Sequence, residues 1–131
     1  MKVISLQEPY ATFIASGLKK IETRSWKTNY RGELLIHASI SKTYYSKIED
    51  PNVIKLMNSL EMNYGKIICK VKLVDCIYMD KNFINKIVKN KLEYSLGVYK
   101  IGRYAWILDE IEILSSPINV KGKLNLWEYS I

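Results

Sequence analysis

The sequence predicts one α+β domain over residues 1–131, built on a small barrel-like mixed sheet with short flanking helices. Two observations predict it. The extended segments are long and are separated by short helical ones. The order strand, helix, two strands, helical region, long strand, helix, strands lacks the regular alternation of a doubly wound sheet. A length of 131 residues suits one domain with one sizeable core, and 48% hydrophobic with 25% charged residues is a globular composition.

The elements follow in order. "VISL" (Val3 to Leu6) reads as a strand. In "EPYATFIASG", Pro9 suits a first helical turn, Phe13 and Ile14 recur three to four residues after Tyr10, and Gly17 is a stop. "KKIETRSW" alternates as a strand does, with Ile21 and Thr23 on one face and Lys20, Glu22, Arg24 and Trp26 on the other. "TNYRGE" is a turn and "ELLIHAS" an apolar strand. "SKTYYSKIEDPNVIKLMNSL" reads as helical but broken at "EDPN", because Pro51 restricts the residue before it. "GKIICKVKLVDCIYM" is the longest strand candidate and is expected to be central. "KNFINKIVKNKL" reads as one short amphipathic helix, and "RYAWILDEIEIL" as another long strand. "SSPINVKGKLNLWEY" closes the chain with a turn and a last extended segment. The long strands with helices between them suggest a closed sheet.

Several chemistries are excluded. There is no Walker-type loop and no GxGxxG. His37 is the only histidine, so multi-histidine metal sites and HExxH are ruled out. Cys69 and Cys76 share one strand, roughly 23 Å apart at ~3.3 Å per residue, too far for a disulfide or a shared zinc. Neither a metal nor a cofactor is expected. His37 and Ser39 fall on one strand face, but no nucleophile elbow accompanies them. The expectation is a histidine hydrogen-bonded at a strand end. No apolar run is long enough to span a membrane, and "MKVISLQEPY" turns polar too early for a signal peptide. A cytoplasmic protein with reduced thiols and no membrane partner is expected.

The formal net charge of +7 and a pI near 9.3 favour polyanionic partners, nucleic acid first. Lysine used for solubility explains part of it, as in "DKNFINKIVKNKLEY".

Three ordered stretches carry a resemblance. "ISLQEPYATFIASGLKKIETRSW" leading into "RGELLIHAS" contains G-x-K-x-x-E-x-R followed by an R-G strand. "LGVYKIGRYAWIL" contains G-R-Y-x-W, and "SSPINVKGKLNLWEY" resembles a P-x-x-x-K-G-x-x-x-x-W ending. Together they resemble the ASCH domain family, a branch of the PUA-like β-barrels. The resemblance implies a cleft beside the first helix that takes RNA or a nucleoside- or nucleotide-like small molecule. Some small relatives are amidohydrolases on N4-acylated cytidines and others are reported as nucleases.

The residues of Gly17 to Trp26 fit such a cleft. Lys19 stands at the helix–strand corner and reaches inward. Glu22 and Arg24 share a face and can pair or bracket a ligand. Glu22 can accept hydrogen bonds from an exocyclic amine, and Arg24 can grip a phosphate or carbonyl. Tyr10, Trp26, Tyr104 and Trp127 offer faces for base stacking. Gln7, Arg103 and Lys121 complete the candidate ligand-binding set. Trp106, inside an apolar strand, is expected in the core. If the domain is an enzyme, Lys19 and Glu22 are the candidate catalytic pair. The amidohydrolase relatives use K-x-x-T; here the lysine falls on Lys19 but the threonine position falls on Glu22, with Thr23 on the opposite face. Binding is therefore the first reading, and a small amidohydrolase or ribonuclease the alternative.

Overall fold

Two strands of unusual length organise the chain. In the computed structural model, which describes residues 1–130, β4 (Lys66–Tyr78) and β5 (Tyr104–Asn119) pair antiparallel through most of their length. The remaining strands are β1 (Lys2–Leu6), β2 (Ile21–Arg24), β3 (Gly32–Ala38) and β6 (Leu126–Glu128). They form one six-stranded sheet in the order β2-β5-β4-β3-β1-β6. β1 and β3 run parallel, and every other neighbouring pair is antiparallel.

The expected mixed sheet and its central β4 are present. The expected closure is not: the sheet curls into a half-barrel whose edges are β2 and β6. These edge strands have four and three residues, and each pairs on one side only, β2 with β5 and β6 with β1. Register shifts in β4 against both neighbours supply local bends, since an extra residue on one strand kinks it and increases its twist.

The concave core is apolar and closely shared. Ile4 and Leu6 of β1, Leu34 and Ile36 of β3, Val71 and Leu73 of β4, and Trp106 and Leu108 of β5 form one cluster. Helix α1 (Tyr10–Ala15) closes it with Ala11 and Ile14, while Phe13 turns to a second cluster with Val53 and Met57 of α2 (Pro51–Asn58). Helix α1 has only six residues, and the buried Glu8 carboxylate tethers its start by accepting from the Thr12 N–H at 2.8 Å. The same carboxylate accepts from the Asn63 N–H at 2.8 Å, tying α1 to the segment before β4.

Two further expectations are corrected. "KNFINKIVKNKL" is two helices, α3 (Lys81–Ile87) and α4 (Lys91–Ser95), rather than one. Asn90 Oδ1 accepts from the Glu93 N–H at 3.3 Å and restarts the chain as a new helix cap. The long strand read over "RYAWILDEIEIL" runs on through "SSPIN" to Asn119, pairing Ile118 with Ile67 and Asn119 with Lys66, and the expected turn and last extended segment follow it. Cys69 and Cys76 are free, as expected, and burial pushes the Cys69 thiol up to about 12. No described helix is long and apolar enough to cross a membrane.

Candidate nucleic-acid cleft

A pocket of about 700 Å3 opens where edge strand β2 faces the end of β1. Its inner wall comes from the G-x-K-x-x-E-x-R stretch. Gly17 takes φ +85°, which an L side chain rarely adopts, and the turn it permits brings Lys19 back beneath α1. Lys19 is 1% exposed. Its ammonium donates to the Leu96 carbonyl, lies 3.8 Å from Glu22 Oε1, and sits 5.6 Å from the centre of the Tyr10 ring. Burial holds the Lys19 pKa below its ordinary value, against the opposing pull of Glu22 and Glu93. Burial and the Glu22 charge raise Tyr10.

Glu22 stands between two cations. Its Oε2 lies 3.3 Å from Arg24 Nε. The contact is an ion pair but not an aligned hydrogen bond, so Arg24 Nε is a buried donor without an acceptor. Arg24 Nη2 donates to the Ser5 carbonyl at 2.9 Å. That carbonyl is reachable because β6 pairs with β1 only at Lys2 to Ile4. The guanidinium thus bridges the gap that the sheet leaves open. Gln7 Oε1, also on the pocket wall, is buried without a donor.

The wall is positioned by a buried acid. The Glu93 carboxylate, from α4, accepts from the N–H groups of Lys20 at 2.8 Å and Ile21 at 3.3 Å. Thr23 points away from Glu22, and its hydroxyl accepts from the Val98 N–H at 3.0 Å. Arg103 donates to the carbonyls of Val98 at 3.0 Å and Thr23 at 3.3 Å. These bonds fix the α4–β5 connection against β2.

The opposite wall is the segment from Lys121 to Asn125. His37 anchors it. A carbonyl oxygen only accepts, so Nε2–H must donate to the Val120 carbonyl, at 2.8 Å. Nδ1 is then an acceptor for the Ser5 hydroxyl at 2.9 Å, and Ser5 Oγ accepts from Trp127 Nε1–H at 3.2 Å. Gly122 packs so tightly that a Cβ there would lie 2.7 Å from His37 Cε1 and 2.8 Å from Ser5 Oγ.

Burial lowers the His37 pKa from 6.5, opposed by the Val120 and Gly65 carbonyls. The folded protein therefore binds fewer protons than the unfolded chain just below pH 6.5, and stability rises with pH across that window. Folding free energy from urea titrations at pH 5 to 8 is expected to fall as pH drops below 6.5, with a shallower fall in His37→Gln. Equal slopes in both proteins would show that His37 does not contribute.

The pocket brings together Lys19, Glu22, Arg24, Gln7, Tyr10 and Trp26 from the N-terminal part, with Arg103 and Lys121 from the later chain. Trp26 also packs edge-on against Trp106, with ring centres 4.8 Å apart, so it is a wall rather than a free stacking plate. Two expected members are elsewhere. Trp127 pairs with Val3 across β6–β1 and is buried with Val3, Leu35 and Ile67. Tyr104 pairs with both Arg24 and Tyr78, lies edge-on to the Tyr78 ring at 5.6 Å and packs on the main core. Trp106 is fully buried, as expected. Sequence reasoning did not find Ser5, Ile40, Tyr44 or Leu124 on the pocket wall. It placed His37 at a strand end beside Ser39, whereas the hydroxyl partner is Ser5 on the parallel neighbour β1.

A model of the ASCH domain matches residues 4–116. The chain belongs to the ASCH domain family. Human activating signal cointegrator 1 is 27% identical over 81 residues, covering 56% of this chain but only 14% of that protein. The fold matches a crystal structure of ASCH from Zymomonas mobilis with TM-score 0.62 at 19% identity, covering 98% of this chain and 87% of that one. A tyrosine-to-phenylalanine variant of the same bacterial protein aligns with TM-score 0.59 at 18% identity, covering 98% and 89%. These likenesses establish the curled PUA-like sheet of this ASCH domain.

Proposed function

We propose that the cleft recognises a nucleobase-bearing anion, a nucleotide or short single-stranded RNA. One observation carries the reading: Lys19, Arg24, Arg103, Lys121 and Lys123 face the pocket against the single carboxylate of Glu22. So unequal a wall attracts phosphate. The buried acceptor Gln7 Oε1 and the buried donor Arg24 Nε offer a base edge one bond of each kind, beside the Tyr10 ring. An unmet polar atom inside a cleft gains most from a ligand that completes it. Membership of the ASCH family agrees with RNA as the partner class.

The test is a tryptophan-fluorescence titration with nucleosides, nucleotides and short RNAs at several salt concentrations, using Trp26 on the wall as reporter. Log affinity is expected to fall linearly with log salt, by about 0.7 per phosphate neutralised on a single strand. Lys19→Met is expected to weaken binding at least roughly tenfold, as loss of a charge-assisted contact does. Affinity indifferent to both salt and Lys19→Met would remove this reading.

A hydrolase is the second reading, and the buried amine of Lys19 favours it. A lysine whose pKa burial lowers can take a proton during attack on an acylated base. Turnover of an N4-acylated cytidine or an RNA, followed by chromatography and lost in Glu22→Gln at a temperature where a melt shows that variant still folded, would establish it.

A further inference from the structure

Two of the most exposed large apolar side chains of the described residues stand on one cleft. Leu124 is 89% exposed and Ile40 76%, and both line the pocket, with the half-exposed Tyr44 beside them. Tyr44 meets Tyr10 edge-on at 6.3 Å, so an aromatic path leads from the Lys19 wall out to this lip. Lys121 and Lys123 both precede Leu124 within three residues, and neither has a carboxylate within ion-pair distance among the described residues. The lip is also held in shape. His37 anchors Val120, Gly122 is wedged against His37 and Ser5, and Asn125 takes φ +59°, turning the chain into β6.

We propose that this lip is a second nucleotide subsite, so that the ligand is an oligonucleotide rather than a free nucleoside or mononucleotide. The inference rests on the reading of the inner cleft as a base site. With one base beside Tyr10, the linking phosphate meets Lys121 and Lys123. The flanking base then covers Leu124, Ile40 and Tyr44. The chemistry explains why apolar side chains are left in water next to cations that no carboxylate of the described residues pairs: a base is flat and apolar on its faces, and its linker is anionic. A pocket of about 700 Å3 is in the upper part of the ~300–1,000 Å3 range of ligand sites, with room for more than one base. A pre-shaped lip also loses less freedom when it binds than a loose loop would.

The experiment compares a cytidine monophosphate with its di-, tri- and tetranucleotides, on the wild type and on Leu124→Ala/Ile40→Ala. Both replaced side chains are exposed, and a thermal melt verifies that the fold is kept. In the wild type, affinity is expected to rise about tenfold from the mononucleotide to the dinucleotide, the scale of one added stacked base, and little beyond the trinucleotide. In the double variant the mononucleotide is expected to bind as before and the step from mononucleotide to dinucleotide to shrink from about tenfold to about twofold, the remainder being salt-dependent attraction to the added phosphate. Because neither substitution alters charge, general attraction to added phosphates would survive it. Equal affinity for every length overturns the second subsite, and so does a full tenfold step that persists in the double variant. Failure of the mononucleotide and of every oligonucleotide to bind would remove the inner base site as well, and with it the proposed function.

Discussion

Glu22→Gln is expected to destabilise the protein by roughly 2–4 kcal/mol, and by more than Lys19→Met does. Removing one partner of a buried pair costs ~3–5 kcal/mol because the other charge is left uncompensated. Glu22 retains 13% exposure, which moves the effect toward and past the lower end of that range. The asymmetry comes from the count of charges. Without Glu22, the ammonium of Lys19 and the guanidinium of Arg24 face each other across a buried wall. Without Lys19, Glu22 still has Arg24 at 3.3 Å, and the Leu96 carbonyl alone loses its donor. The Glu22 charge also props up the Lys19 pKa, so its loss lets burial push the amine further down. Urea unfolding of both single variants and the double variant measures the coupling, expected at ~0.5–3 kcal/mol for groups in one network. A smaller loss in Glu22→Gln than in Lys19→Met would show that Glu22 does not balance the wall.

Trp106→Ala is expected to cost about 3–5 kcal/mol, the range for truncating a buried aromatic, and to lower Tm by on the order of 10–20 °C. Trp106 is fully buried and pairs with Glu22 across β5–β2 and with Cys76 across β5–β4. Its Nε1 donates to the Trp26 carbonyl at 3.4 Å, and its ring backs the Trp26 ring. The void therefore opens directly behind the cleft. Ligand affinity should fall with stability, whereas Trp106→Phe, which leaves a smaller void, should be milder in both. A calorimetric melt decides it: a Tm within a few degrees of the wild type would mean that Trp106 does not hold the wall.

Much of the cleft was legible because it is local. Lys19, Glu22 and Arg24 lie within six residues, and the helix stop at Gly17 and the two-residue alternation of a strand suffice to orient them. The burial of Trp106 followed from an apolar strand in the same way. The length of β4 was read nearly correctly, whereas β5 was read to Leu114 and runs on to Asn119 past Pro117. The apolar alternation that marks the strand stops at "SSP", yet the strand continues through it to pair Ile118 with Ile67. The helical stretch after β4 was read as one helix because its apolar spacing continues across Asn90. The side chain that restarts it bonds locally and leaves no mark on periodicity.

The sequence by itself determined an ASCH domain of mixed strands and short helices, with a charged wall after its first helix. Those features depend on spacing within one element, and spacing is written in the chain. Only the tertiary structure decided that the sheet stays open between β2 and β6, and that Arg24 spans the opening to the Ser5 carbonyl. It alone removed Trp127 and Tyr104 from the pocket and set Leu124 and Ile40 on its lip. Strand order and register govern those outcomes. They bring Ser5 beside His37 across 32 positions of sequence, and no local pattern encodes which distant strand becomes a neighbour.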